Sequence, residues 1–344
     1  MPDRPTTESG SSKPVGRTQR GMDKGHSRFK WLRVWQARNF SLILLFLITI
    51  VVSSSLSSFF LTRQNVESGL VNFFVELAIV TIGQTLVLLV RGIDLSVGGV
   101  VALSATGVGF FHTQGVDIWT ATGLGLLIGA FCGLLNGVFV TRLRTPPIIA
   151  TLGSGILFQG ITLGVTGGKS YSNFPPAFQS IGQGRIGPLP APVVILILIA
   201  IFAHLIMTQT RYGRWLYAIG GNEVAARFSG IPVERTRLTV YVVSGLLAAI
   251  SGIITGARLL SAGPLLAVGV ELATITAALL GGVSIAGGQG TIAGGLLGML
   301  VIATLQNGMT LAKVSTSVQY MTVAALLVVI ITVEMFLARR RIAA

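Results

Sequence analysis

Charge is what this chain has least of. Only 10% of its 344 residues are Asp, Glu, Lys or Arg, against roughly 25% in an ordinary soluble domain. A soluble protein so poor in charge has no means of covering its surface, which excludes most soluble enzymes and disordered chains. Acidic residues are scarcer still, 11 against 25 Lys and Arg, leaving a net charge of +14. Cysteine is all but absent. The single Cys132 lies in an apolar run, so neither an intrachain disulfide nor a zinc cluster can form, and it reads as a small buried side chain. His26, His112 and His204 are scattered, with no carboxylate or thiol at ligand spacing, so no metal site is expected. No nucleophile–base pair stands out, and no catalytic residue is expected.

What is present is apolar. Hydrophobic residues make up 51% of the chain, and the mean hydropathy is +0.78. Beyond a polar, basic stretch at 1–40, apolar runs occupy 41–62, 70–90, 95–112, 118–140, 146–166, 191–209, 238–259, 270–286, 290–310 and 318–338. Runs near 20 residues match the length of a membrane-crossing helix. The expected fold is an all-α polytopic bundle of about ten spans. The Gly-rich third and eighth runs are the ones expected to be short, broken or re-entrant. The expected organisation is a disordered basic tail at 1–40 with an interfacial segment at Trp31 and Trp35. A membrane domain at 41–338 and a basic end at 339–344 follow. The apolar segment after the tail is too long for a secretory signal.

The scarce charge is also sorted. With ten spans and the N-terminus inside, 20 of the 25 Lys and Arg fall on the cytoplasmic side, as the positive-inside bias requires. The other five are Arg63, Lys169, Arg185, Arg258 and Lys313. This sorting explains the net charge without a nucleic-acid partner and places both termini in the cytoplasm.

Two stretches interrupt the apolar pattern: a Gly/Pro-rich loop at 167–190, expected outside, and a basic loop at 210–237, expected inside. Glycine is abundant, 44 residues, nearly twice the usual share of about 7%. Series such as Gly123–Gly125–Gly129–Gly133–Gly137 and Gly294–Gly295–Gly298 suit close helix packing. Gly164–Ser170 imitates a phosphate-binding loop, but Leu163 stands where that pattern needs glycine. Ala286–Gln289 only faintly echoes an ATPase signature. The energy for any transport must come from an ion gradient or from a partner.

Among ionisable residues in apolar surroundings, Glu76 is the candidate for ion coupling. Glu271 opens the eighth run, and Glu334 is expected to pair with the nearby Arg339–Arg341 cluster. In Gly92–Ile93–Asp94–Leu95–Ser96–Val97–Gly98–Gly99, Asp94 is placed to cap the third helix. Gly98 and Gly99 would permit a break there, so Asp94, Ser96, Gly98 and Gly99 are candidates for a pivot or a polar lining. Within the basic loop, Asn222 is a good N-cap, Glu223 sits in the first turn, Gly230 can close the helix left-handed and Pro232 stops it. A helix of about two turns is expected. It would dock on a partner protein or lie on anionic lipid.

Three segments carry a resemblance. GIDLSVGG (92–99), RYGRWLYAIGGNEVAARFSGI (211–231) and ALLGGVSIAGGQGTIAGGLLG (278–298) resemble the permease subunits of bacterial ABC importers for monosaccharides, with ribose, xylose and arabinose permeases as the nearest types. The likeness extends over about residues 38–340. GIDLSVGG is shared more loosely with permeases for branched-chain amino acids, nucleosides and autoinducer-2, which stay as alternatives. The resemblance implies a bacterial inner-membrane permease that binds no cofactor itself. Its partners would be an ABC ATPase holding ATP and Mg²⁺, a second permease copy or paralogue, a periplasmic sugar-binding protein and the bilayer. It also implies that Gly221, Asn222, Glu223, Ala225, Ala226, Arg227 and Gly230 form the helix coupled to the ATPase. The neutral amides Gln84, Asn136, Gln159, Gln306 and Asn307 are candidates for a sugar path, with helix–helix hydrogen bonding as the plainer role for each. An ion-coupled carrier using Glu76 and a non-transporting scaffold are the readings from other classes.

Overall fold

In the computed structural model, which describes residues 42–172 and 174–343 with side chains to Phe336, nearly every apolar run becomes a helix. In order these are α1 (Leu42–Leu56), α2 (Asn65–Leu89), α3 (Val97–Thr113), α4 (Ile118–Thr141), α5 (Pro147–Thr166) and α6 (Pro176–Gln183). A minimal hairpin, β1 (Arg185–Ile186) and β2 (Leu189–Pro190), leads to α7 (Ala191–Gln209), α8 (Arg211–Gly221) and α9 (Glu223–Phe228). The chain continues through α10 (Val233–Leu259), α11 (Val270–Leu280), α12 (Ile292–Leu311) and α13 (Thr316–Ala343). Seven of these are long and apolar enough to cross a membrane, and α1, α3 and α11 are shorter apolar helices. The chain is an all-α polytopic membrane bundle. The expected tail at 1–40, with Trp31 and Trp35, lies outside the described residues.

Helix ends follow local chemistry. Asp117 caps α4 by accepting from Trp119 N and Thr120 N at 3.0 and 3.3 Å. Thr291 caps α12 by accepting from Gly294 N at 3.0 Å. Proline opens α5, where its missing N–H costs nothing, and Gly167 at φ +59° closes it. Several boundaries differ from expectation. The first run, 41–62, is helical only to Leu56. The loop at 167–190 contains α6 and the hairpin, and Tyr171 bridges to Ala262 through backbone bonds of 2.8 and 2.9 Å. The eighth run, 270–286, is an 11-residue helix followed by a glycine turn.

The expected glycine stripe does pack helices, but selectively. Gly125, Gly129, Gly133 and Gly137 recur every four residues and share one face of α4. A Cβ on Gly129 would meet Gly245 O, and one on Gly133 would meet Tyr241 O, both on α10. Gly123 lies off this face and has nothing within 4 Å. On α12, Gly294 and Gly298 likewise admit Gly281 O and Ala277 O. Backbones thus touch directly where α4 meets α10 and where α12 meets α11. Burial concentrates in α2 and α12, each 72% buried over its apolar window, while α13 is 6% buried.

Two passages through the bundle are only partly helical. α3 is preceded by the irregular stretch 90–96 and α11 by 260–269. At about 1.5 Å per residue, the 11 residues of α11 span about 16 Å, roughly half the apolar thickness of a bilayer. Irregular backbone at that depth is stable only when other protein groups satisfy its N–H and C=O. Here they do.

Candidate functional site

The irregular stretch 90–96 organises one end of the molecule. Gln84 Nε2 donates to Asp94 O at 2.6 Å. Thr151 Oγ1 accepts from Leu95 N at 3.1 Å and donates to Pro147 O at 2.8 Å. The Asp94 carboxylate accepts from Ser96 N (3.0 Å), Ser96 Oγ (2.6 Å) and Ser244 Oγ (3.1 Å). Asn136 Nδ2 donates to Ser96 Oγ at 2.7 Å, and Ser154 Oγ donates to Asn136 Oδ1 at 2.5 Å. Gln84, Asp94, Ser96 and Asn136 are all buried. The network ties α2, α4, α5 and α10 to the start of α3.

This corrects two expectations. Asp94 does not cap the first turn of α3: Ser96 stands at the N-cap with no side-chain cap bond, because the Asp94 carboxylate is spent on Ser96 itself and on α10. Nor is α3 broken at Gly98 and Gly99. They sit in its continuous first turn, where a Cβ would strike Glu271 Oε2 and Gly155 O respectively.

Above this network lies the basic loop, and it is folded throughout. α8 is amphipathic, burying Leu216 and Ile219, and Tyr217 Oη donates to Gly290 O at 2.9 Å. At the α8–α9 corner, Arg91 Nε donates to Gly220 O (2.7 Å) and Arg91 Nη2 to Gly221 O (2.9 Å). Gly288 N donates to Leu89 O at 2.9 Å, and a Cβ on Gly220 would strike both of those atoms. The Ala286–Gln289 turn therefore packs against this corner.

α9 has six residues, the expected length of about two turns. Asn222 Oδ1 caps it by accepting from Ala225 N at 3.0 Å. Gly230, at φ +76°, lets Ile231 N reach back to Ala226 O at 3.1 Å, a left-handed closure that glycine tolerates. Ala226 is buried. Glu223 faces inward: it accepts from Arg227 Nη2 at 2.9 Å and from Arg237 Nη2 at 2.7 Å. Arg227 also pairs with Glu234. Arg237 Nε reaches Val90 O at 3.3 Å. Burial pushes the Glu223 carboxyl up, but the hydrogen bonds and charges of Arg227 and Arg237 outweigh it and hold it below the usual carboxylate range. The charged side chains of α9 are thus spent within the chain. Beside the paired but exposed Arg227, α9 shows an apolar pair to solvent: Phe228 is 90% exposed and Val224 63%. Sequence reasoning passed over this pair, although its i,i+4 spacing puts both on one helix face. A cavity of about 440 Å³ lies behind α9, lined by Arg91, Arg144, Arg227 and Arg237 with Glu223 and Glu234.

The other candidates separate by location. Gln159 Nε2 donates to Pro264 O at 2.5 Å, serving the second irregular stretch as Gln84 serves the first. Asn307 and Asn65 exchange side-chain bonds of 3.0 and 2.9 Å. Gln306 is buried, and its Oε1 has no partner among the described residues. Gln306 and Asn307 line a cavity at the opposite end of the bundle from α9. Glu76 is held by Arg258 through both oxygens, at 2.5 and 3.1 Å. Glu334 accepts from Ser284 Oγ (2.5 Å) and Ile285 N (3.2 Å). Those bonds anchor the turn before α12; the side chains of Arg339–Arg341, the expected partners of Glu334, lie outside the described residues.

A membrane bundle with a rigidly mounted surface helix at one end and a polar cavity at the other is the architecture of a transport subunit. The family described as the branched-chain amino acid transport system permease component matches residues 66–331. The chain is 38% identical over 306 residues to the ribose import permease protein RbsC of Escherichia coli K12, covering 88% of this chain and 95% of that protein. It is 39% identical over 284 residues to the protein of the same name in Bacillus subtilis 168, covering 80% and 85%. Against the D-allose transport system permease protein AlsC of E. coli K12 it is 32% identical over 298 residues, covering 86% and 91%. The chain belongs to this permease family and is a multi-pass membrane protein.

Proposed function

We propose that the chain is the membrane subunit of an ATP-binding-cassette importer that moves a monosaccharide, a pentose such as ribose, across a bacterial cytoplasmic membrane. The relatives that match along most of its length are named for ribose and allose. The observation that carries the coupling is the mounting of α9. Its charged groups bind inward, Arg91 and Arg237 fasten it to the end of α2, and the stretch they grip continues directly into the buried Asp94 network. A load on Val224 and Phe228 is therefore transmitted to four helices without a flexible joint. In this reading the partner ATPase holds ATP and Mg²⁺ and presses on α9, which lies in the cytoplasm with both termini. A second copy or a paralogue completes the pathway, and a periplasmic protein delivers the sugar at the far end. The chain contributes no catalytic group. Glu76, the coupling residue of an ion-driven carrier, is instead tied to Arg258 through both carboxylate oxygens.

The test is purification of the tagged chain from its native membrane, with proteoliposome uptake of D-ribose measured beside it. An ATPase subunit should co-purify, and uptake should persist when an uncoupler is added at constant ATP. Collapse of uptake under the uncoupler, or purification without an ATPase, refutes the proposal.

A further inference from the structure

The cavity at the far end of the bundle has the chemistry of a carbohydrate site. It encloses about 200 Å³ between α2 and α12, and Ser68, Phe73, Arg258, Gln306, Asn307 and Thr310 contribute to its wall. It shares Ser68 and Arg258 with a second polar cavity of about 390 Å³, which also holds Gln183 and the Glu67–Arg185 ion pair. Gln306 is 7% exposed, and its Oε1 is buried without a hydrogen-bond partner among the described residues. A buried amide oxygen left unpaired is costly, so it marks a place where a donor belongs. Its surroundings favour a hydroxyl. Arg258 is neutralised by Glu76, so the cavity presents no net charge to attract an ion. Phe73 supplies an apolar ring for the C–H face of a sugar, while amide, hydroxyl and guanidinium groups flank it. Gln84 Oε1 is also unpartnered among the described residues, but Gln84 is wholly buried and lines neither cavity, while Asn136 and Gln159 are committed to other partners.

We infer that this cavity is the receiving subsite for a neutral monosaccharide, with Gln306 Oε1 accepting from a sugar hydroxyl and Phe73 lying against the ring. The inference rests on the reading of the chain as a monosaccharide importer.

The experiment uses the complete transporter, with its ATPase and binding protein, in proteoliposomes. D-Ribose, D-allose and L-arabinose are the probes, and sugar moved per ATP hydrolysed is the readout. Gln306→Leu keeps the volume and removes the acceptor. For the sugar that the wild type moves, it should lower sugar per ATP by roughly tenfold, the factor of about one net hydrogen bond. Hydrolysis stimulated by loaded binding protein should stay within about twofold of wild type. Ser68→Trp, at an exposed rim position, should do the same by filling the cavity without touching Gln306. An unchanged ratio in both variants overturns the subsite, as does a parallel fall of transport and hydrolysis in both, which marks a packing role. A wild type that moves none of the three sugars defeats the monosaccharide reading itself, a separately recognisable failure.

Discussion

Phe228→Ala tests whether α9 works through its apolar face. The side chain sits 90% exposed at the end of a six-residue helix whose charged residues are already paired. A phenylalanine offers about 150–250 Å² of surface, so about 180 Å² is available for a partner to cover. At about 25 cal/mol per Å² the upper bound is near 4.5 kcal/mol. Alanine retains part of the contact and interfaces cover anchors incompletely, so a loss of about 2–3 kcal/mol is expected, typical of an interface hot spot. That converts to roughly 30–150-fold weaker binding of the ATPase per site. The measurement is titration of the purified ATPase onto the permease in nanodiscs. Phe228→Leu should retain most of the affinity, and Val224→Ala, at a less exposed position, should cost less than Phe228→Ala. The melting temperature of the permease alone should not move, because Phe228 is almost wholly exposed. An affinity for Phe228→Ala within threefold of wild type would show that α9 does not dock through this face.

Gly245→Ala should destabilise the permease by about 1–3 kcal/mol, because its Cβ meets Gly129 O and Gly133 N and backbone cannot yield as a side chain does. Gly123→Ala, in open space on the same α4, should be neutral or slightly stabilising, and thermal unfolding in detergent compares the two. Asn136→Leu leaves the Ser96 and Ser154 hydroxyls without their shared amide, so a loss of at least about 2 kcal/mol is expected, read in the same assay. The folded pKa of Glu223 is depressed, so its contribution is complete above its unfolded value near 4.3 and disappears as pH falls through the folded value. ATPase affinity should therefore be flat from about pH 8 to 5 and weaken only in stronger acid. Glu223→Gln should abolish that acid limb, and a wild-type midpoint near pH 6 would contradict the ion pairing.

Much of the site was legible because it depends on local chemistry. Asn222, Gly230 and Pro232 spell the boundaries of α9 in their side chains alone. The bond from Ser284 to Glu334 was not legible, because it crosses 50 residues of sequence, a distance no local pattern carries. Asp94 was legible as an acceptor but not as the ligand of Ser244 on α10. Of the five amides, sequence supplies only their neutrality. Two of them, Gln84 and Gln159, answer to irregular backbone, which appears as such only once α3 and α11 are seen to begin late.

By itself the sequence determined the class of protein, the ten apolar segments and the place of the surface helix. Each depends on composition or on neighbours within a turn or two. Only the tertiary structure decided which segments form the interior. α7 and α13 are strongly apolar yet mostly uncovered, while α12, richer in glycine and amides, is 72% buried. The reason is that lipid is as apolar as a protein core, so hydrophobicity inserts a helix without telling it which way to face. Small residues that let backbones meet, and polar groups that find partners only across the bundle, make that choice.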